Sequence, residues 1–287
     1  MDLRRIRATI VAAVASDEIL EQTLVLKGGN ALELVHRLGS RASVDIDFSM
    51  EDDLSDVQEF GSRLLRALID RFDVLGYFVF DFDFAPRPST STPGQVWGGY
   101  ASEFKLITHE RKLQLRSDME QLRRQAETTG PDQSRRFKID ISKFEMCRGS
   151  MSAEVEGWKF RVYTPSMIAA EKLRAICQQM TEYSQRKNPA PRARDFYDIH
   201  AVVVGAGVDL TAPEELALLR SVFGAKQVPL ALLQELPAYR EFHRQDWPKV
   251  RNAVGGELLD FDVYYDFTLE LVRRILKPGR VVNAPPL

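Results

Sequence analysis

A chain of 287 residues, 44% hydrophobic and 28% charged, is long enough to bury a core in one large or two smaller domains and too apolar to be intrinsically disordered. A net charge of −2 excludes a global basic field for polyanions, so nucleic acid would have to use local patches. Two cysteines, Cys147 and Cys177, supply neither a disulfide framework nor a metal-ligand spacing, and no apolar run approaches a membrane span, so a soluble, cytoplasmic protein is expected.

The N-terminal MDLRRIRATIVAAVASDEIL puts positive charge before apolar residues, as a signal peptide does. Ile6, Ile10, Ala13 and Val14 fall at helical spacing, however, and the run stops at Ser16-Asp17-Glu18, which predicts an amphipathic helix. A strand over 23–26 leads into Lys27-Gly28-Gly29, and a helix over 30–38 presents Ala31, Leu34, Val35 and Leu38 on one face. After Gly39-Ser40-Arg41 a strand over 44–48 alternates apolar and acidic residues. Residues 54–75 carry a helical stripe of Leu54, Val57, Leu64, Leu65, Leu68 and Phe72, and YFVFDFDF over 77–84 alternates as a strand. The Pro/Ser/Gly-rich APRPSTSTPGQVWGG reads as a loop to an antiparallel partner strand over 100–107. Residues 110–136, charged and arginine-rich, suit an extended hairpin, a helix or a mobile insertion, and FKIDISKFE follows as a strand. Thr164-Pro165-Ser166 supplies a helix cap and a first-turn proline, and the chain is mainly helical from there on. The expected fold class is α+β, a mixed-sheet domain over 1–160 and a helical domain over 161–287.

In a strand, residues two apart point to one face. Along Val44-Asp45-Ile46-Asp47-Phe48 the apolar side chains go one way and both carboxylates the other. Two carboxylates held that close raise each other's proton affinity unless a cation lies between them, and Mg²⁺, or Mn²⁺, is the hard ion that oxygen ligands suit. Asp140, in Lys138-Ile139-Asp140-Ile141-Ser142, has the same outward placement. Three such acids could hold the metal ions of a phosphoryl displacement. Upstream, Gly28-Gly29 between strand and helix offers backbone N–H groups with no side chain in the way, an anion seat to which Lys27 adds charge. Each part has a bland counterpart, since most Gly-Gly pairs are only turns and most acids on strands face water. Val79-Phe80-Asp81-Phe82-Asp83-Phe84 is an internal control: the same Asp-x-Asp without a glycine turn, read as solvent-facing edge residues. The stronger signal is the order of glycine turn, helix, serine and Asp-x-Asp.

LKGGNALELVHRLGSRASVDIDFS resembles the first motif of the AbiEii/AbiGii-type toxin nucleotidyltransferases, of the DNA polymerase β-like superfamily. It matches at Lys27, Gly28, Gly29, Ala31, Leu32, Arg41, Ser43, Asp45, Asp47 and Phe48. TPSMIAAEKLRAI is similar to the second motif, which places Lys172 toward the triphosphate. RARDFYDIHAVV is similar to the third, with Asp195 and Asp198 on one helix face. The matches span most of residues 24–201; none is apparent beyond 201 or within 110–136. The resemblance implies a nucleotidyltransferase fold whose helical domain completes the nucleotide cleft, and Mg²⁺-dependent transfer of an NMP from an NTP to an acceptor hydroxyl. Asp45, Asp47 and Asp140 would bind metal, and Asp140 would help to deprotonate the hydroxyl. Gly28, Gly29, Ser43 and Lys172 would hold the triphosphate with Lys27 and Arg41 nearby, and Asp195 and Asp198 would serve the nucleotide. It further implies the toxin of a toxin–antitoxin or abortive-infection pair, with a cognate antitoxin and with tRNA, a protein or a small molecule as acceptor.

Two other classes compete. Glu103-Phe104-Lys105 has the Glu-x-Lys form of one group of metal nucleases, but that leaves the glycine turn and both helical motifs unexplained. The other is a non-catalytic nucleotide-binding module. Taken alone, Lys172 reads as a surface lysine and Asp195 and Asp198 as solvated first-turn acids. The four histidines show no metal-ligand spacing, and Trp97-Gly98-Gly99-Tyr100 reads as a turn with aromatic packing. The basic residues between Arg111 and Arg136 are interrupted by Glu110, Asp118, Glu120 and Glu127, so they suit an ion-laced face as well as a nucleic-acid track.

Overall fold

The computed structural model describes residues 2–38, 45–90, 95–129, 134–185, 188–254 and 257–277. The chain divides into two units, Met1–Val35 with Ser43–Val162, and His36–Ala42 with Tyr163–Leu287.

The first unit carries a seven-stranded mixed sheet. Its strands are β1 (Val25–Leu26), β2 (Ile46–Ser49), β3 (Tyr77–Arg87), β4 (Gly99–Thr108), β5 (Phe137–Ser142), β6 (Met151–Val155) and β7 (Trp158–Val162), in spatial order β3-β4-β5-β2-β1-β7-β6. β2 is parallel to β5 and β1 to β7; the other pairs are antiparallel. Alternation gives the sheet two faces. Phe137, Ile139 and Ile141 of β5 are buried, and Phe104, Ile46 and Phe48 stand level with them on the same apolar face. Lys138, Asp140 and Ser142 point the other way.

Helices α1 (Leu3–Ala15) and α4 (Val57–Val74) pack on each other and on the sheet, Phe72 of α4 meeting Phe104 with ring centroids 6.0 Å apart. Asp2 accepts from the Arg4 N–H at 3.2 Å and Asp56 from the Glu59 N–H at 2.9 Å, satisfying first-turn donors that the helices cannot. α1 buries Ile6, Ile10, Ala13 and Val14, as their spacing requires. A short α2 (Glu18–Thr23) leads into β1.

The segment after Lys27 departs from a regular helix over 30–38. Gly28–Asn30 form the single turn α3, and Ala31–His36 continue it as a wide π-type turn, a form frequent at functional sites. β2 begins at Ile46, and Val44 lies outside the described residues. Within 110–136 two short helices form, α5 (His109–Gln114) and α6 (Met119–Gln125). Leu122 buries with Phe80, Ile107 and Ala126, and the Lys112 ammonium lies 3.5 Å over the Phe78 ring. Arg123 donates to Asp81 at 2.8 and 2.9 Å, and Arg111 to Gln114 at 2.7 Å. These cations have local partners, which favours the ion-laced face. The β6–β7 hairpin was not among the expected strands; Met151-Ser152-Ala153-Glu154 gives little alternation from which to read it.

In the second unit α7 (Pro165–Cys177) starts as its sequence dictates, Thr164 accepting from the Met167 N–H at 3.2 Å with Pro165 in the first turn. It packs on α8 (Ala193–Gly205) and α9 (Pro213–Gly224). A 3₁₀ run (Leu230–Tyr239), α10 (Arg240–Arg244), α11 (Trp247–Ala253) and α12 (Phe261–Ile275) follow, and Phe196 of α8 stacks on Tyr265 at 4.8 Å. No helix among the described residues is long and apolar enough to cross a membrane.

Candidate active site

On the polar face of the sheet Asp47 stands level with Asp140, and Ser49 with Ser142, across the parallel β2–β5 pair. Adjacent strands lie about 4.8 Å apart, so the two carboxylates leave neighbouring backbones side by side. Asp45, just before β2, is exposed. Burial pushes the Asp140 carboxyl above its usual range, the Asp45 charge pushes it further, and Arg87 and Lys138 pull against both. The three acids singled out by alternation thus share one neighbourhood.

The glycine turn is part of the same local structure. Gly28 has φ +65°, and a Cβ there would lie 2.7 Å from Asp47 Oδ2. The close approach that glycine permits is made at this position by a carboxylate of the chain itself. The Lys27 N–H donates to the Asp47 carbonyl at 2.9 Å, and Asn30 Nδ2 donates to the Asp45 carbonyl at 2.6 Å. Gly29 is buried within α3. Lys27 is only 7% exposed, and its ammonium reaches Ser142 Oγ at 3.2 Å and the buried Glu145 at 3.7 Å. Glu145, Asn30 and the Arg7–Glu33 pair behind Asn30 escaped the sequence reading. Glu145 follows the end of β5 with no periodicity to mark it, and Arg7 lies 26 residues before Glu33. Arg41 and Ser43 lie outside the described residues.

A set of carboxylates with hydroxyl and carbonyl neighbours and no soft ligand fits a hard divalent cation. Among the described residues no three His, Cys, Asp or Glu side chains stand close enough to hold one ion as they are, and Asp47 is turned onto Gly28.

In the helical unit the second and third motifs meet. Lys172 Nζ lies 2.8 Å from Asp195 Oδ1 and 3.0 Å from Asp198 Oδ2, and all three residues are buried. Arg192 also pairs with Asp195. Burial alone would push the Asp195 carboxyl up, but Arg192 and Lys172 together hold it well below the usual range. Lys172 is therefore no surface lysine, and neither acid is a solvated first-turn residue.

The second Asp-x-Asp has a different fate. Asp81, at φ +50° in a bulge between Phe80 and Asp83, pairs with Arg123 at 2.8 Å and Lys105 at 3.0 Å. Its hydrogen bond to Arg123 is the main reason its pKa is held to about 2, and Asp83 is exposed. Glu103 pairs with Arg136 at 2.9 Å and Arg87 at 3.5 Å. Tyr100 stacks on Phe84 at 5.4 Å and donates to Asp53 at 2.6 Å.

A family model described as "Nucleotidyl transferase AbiEii toxin, Type IV TA system" matches residues 9–267. Among solved structures the chain is similar to JHP933 from Helicobacter pylori, with 17% identity over 95% of this chain and 90% of that one and a TM-score of 0.47. It is also similar to an antigenic nucleotidyltransferase-like protein from Paracoccidioides brasiliensis, with 14% identity over 83% and 93% and a TM-score of 0.36. No curated protein matches the sequence.

Proposed function

The chain belongs to the AbiEii nucleotidyl transferase toxin family of type IV toxin–antitoxin systems, and from that premise we propose that it transfers an NMP from an NTP to an acceptor hydroxyl, which attacks the α-phosphorus as pyrophosphate leaves, acting in the cytoplasm with a cognate antitoxin as partner. The observation that carries this reading is the level placement of Asp47 and Asp140 on adjacent parallel strands, with the Asp45 charge acting on Asp140. Asp45, Asp47 and Asp140 would hold Mg²⁺ or Mn²⁺, which supplies charge neutralisation at the phosphates. Asp140, its proton affinity raised by burial and by Asp45, takes the proton of the attacking hydroxyl on its carboxylate. The Lys27–Asn30 turn fixes Asp45 and Asp47 through their carbonyls, so catalysis rests on positioning and charge. Gly28 and Gly29, with Lys27 beside them, would make the phosphate side of the site, and the sequence motif assigns Arg41 and Ser43 to it. In the helical unit Lys172, Asp195 and Asp198 serve the nucleotide by holding α7 against α8. A tRNA, a protein or a small molecule would supply the acceptor hydroxyl.

The test is incubation with each labelled NTP, Mg²⁺ and total tRNA, wild type against Asp47→Ala. Transfer of label that is lost in the variant supports the proposal. Breakdown of unlabelled RNA without transfer would make the protein a nuclease, and NTP binding with neither reaction a binding module.

A further inference from the structure

We propose that Asn30 is a positioning residue for the Asp-x-Asp strand, fixing the backbone from which the Asp45 carboxylate would turn toward a divalent cation shared with Asp47 and Asp140. The inference rests on the metal-dependent reading above. Asn30 is fully buried, and its Nδ2 donates to the Asp45 carbonyl at 2.6 Å. Asp45 precedes Ile46, the first residue of β2 in register with β5, so the amide grips the chain where the ladder ends and the acids begin.

The direction of that grip is set from behind. An asparagine amide can turn either its oxygen or its nitrogen toward a neighbour, and the hydrogen-bonding partners decide which. Arg7 Nη1 lies 3.4 Å from Asn30 Oδ1, and a guanidinium can only donate, so the oxygen faces Arg7 and the nitrogen must face Asp45. Arg7 is itself held by two bonds to Glu33, at 2.5 and 2.8 Å. Glu33 lies in the π-type turn that continues α3. The relay runs from Glu33 through Arg7 and Asn30 to the backbone of Asp45. It complements the Lys27 N–H, which holds the Asp47 carbonyl at 2.9 Å.

Outer partners that orient metal ligands are typically worth about 10- to 100-fold in metal affinity. The experiment is a Mn²⁺ titration of the full-length protein, with free Mn²⁺ read by electron paramagnetic resonance and no nucleotide or acceptor present. Asn30→Ala is expected to bind Mn²⁺ about 10- to 100-fold more weakly than wild type. A residue with a merely structural role would lower the melting temperature and leave the Mn²⁺ midpoint in place, and that result overturns the proposal. If Asn30→Ala does not fold, Arg7→Met, which frees the amide to turn, is judged by the same midpoint: a weaker one supports the relay and an unchanged one overturns it. Asp47→Asn separates the two levels. If it binds Mn²⁺ as wild type does, or if wild type binds none, the metal reading fails and the relay with it; if Asp47→Asn loses Mn²⁺ and the Asn30 and Arg7 variants do not, only the relay fails.

Discussion

Gly28→Ala separates the backbone role of the glycine turn from its role in the site. At φ +65° an alanine carries the strain of the left-handed region, about 1–2 kcal/mol. Stiffening of the unfolded chain offsets about 0.4–1 kcal/mol of that, leaving a net loss of ~1 kcal/mol and a melting temperature lower by roughly 2–4 °C. Gly76, in the turn between α4 and β3, has φ +78° and nothing within 4 Å of a Cβ, so Gly76→Ala should lose a similar amount. The two differ in what the methyl group meets. At Gly28 it would lie 2.7 Å from Asp47 Oδ2, and ordinary contact begins at 3.4 Å, so the carboxylate has to retreat by about 0.7 Å. A misplacement near 1 Å at reacting groups costs about 100-fold in rate. Label transfer from NTP should therefore fall by roughly 10- to 100-fold in Gly28→Ala and stay within about twofold of wild type in Gly76→Ala. Equal transfer by the two variants at matched fractions folded would refute the assignment of Asp47 to the site.

Three further outcomes follow from the ion placements. Asp140 is raised above its usual pKa by burial and then by Asp45, so its ionisation costs stability, a cost that grows as pH rises through the ordinary carboxylate value near ~4 and is complete above the raised value. Asp140→Asn should therefore melt higher than wild type at pH 7, lose that gain below about pH 4, and transfer at least about 100-fold less label; a lower melting temperature at pH 7 would refute the direction. Lys172→Met leaves Asp195 and Asp198 buried without that partner, and urea unfolding at pH 7 should show a loss of about 3–5 kcal/mol. Asp195 is held below its usual range, so its contribution is present above the unfolded carboxylate pKa and disappears as pH falls through the folded one; a penalty that does not shrink in acid would contradict this. Asp81→Asn removes a surface pair with Arg123 and a part-buried one with Lys105, and should cost about 1 kcal/mol and leave transfer within about twofold of wild type.

Much of the first unit could be read locally because period-two alternation acts residue by residue. Ile46, Phe48, Ile139 and Ile141 had to be buried, and that alone turned Asp47 and Asp140 outward. What alternation could not supply was the register, since the parallel pairing that sets Asp47 beside Asp140 rather than Ser142 depends on contacts more than 90 residues apart. The same limit hid Glu145 and Arg7, whose partners are remote in sequence. It also hid the different fate of the two Asp-x-Asp pairs. The spacing is identical, but a bulge at Asp81 turns one of them into an ion pair with α6. The π-type turn over Ala31–His36 keeps the helical periodicity of ALELVH, so the sequence reads as an ordinary helix there.

The two motif lysines show how burial decides what a charge can do. Both Lys27 and Lys172 invite assignment to phosphate, and each is found buried against carboxylates of the chain. An ammonium can leave such partners only at the cost of leaving them in a poorly solvated place, several kcal/mol per uncompensated ion. For Lys172 to turn to a triphosphate, Asp195 would retain Arg192, but Asp198 would lose the lysine that lies 3.0 Å away. Lys172, Arg192, Asp195 and Asp198 already sum to zero formal charge, so the cluster exerts little long-range pull on an anion. These ion pairs tie α7 to α8. A positive residue in a motif shows that the fold needs a cation there, and a buried one reaches a substrate anion only by releasing the carboxylate it holds.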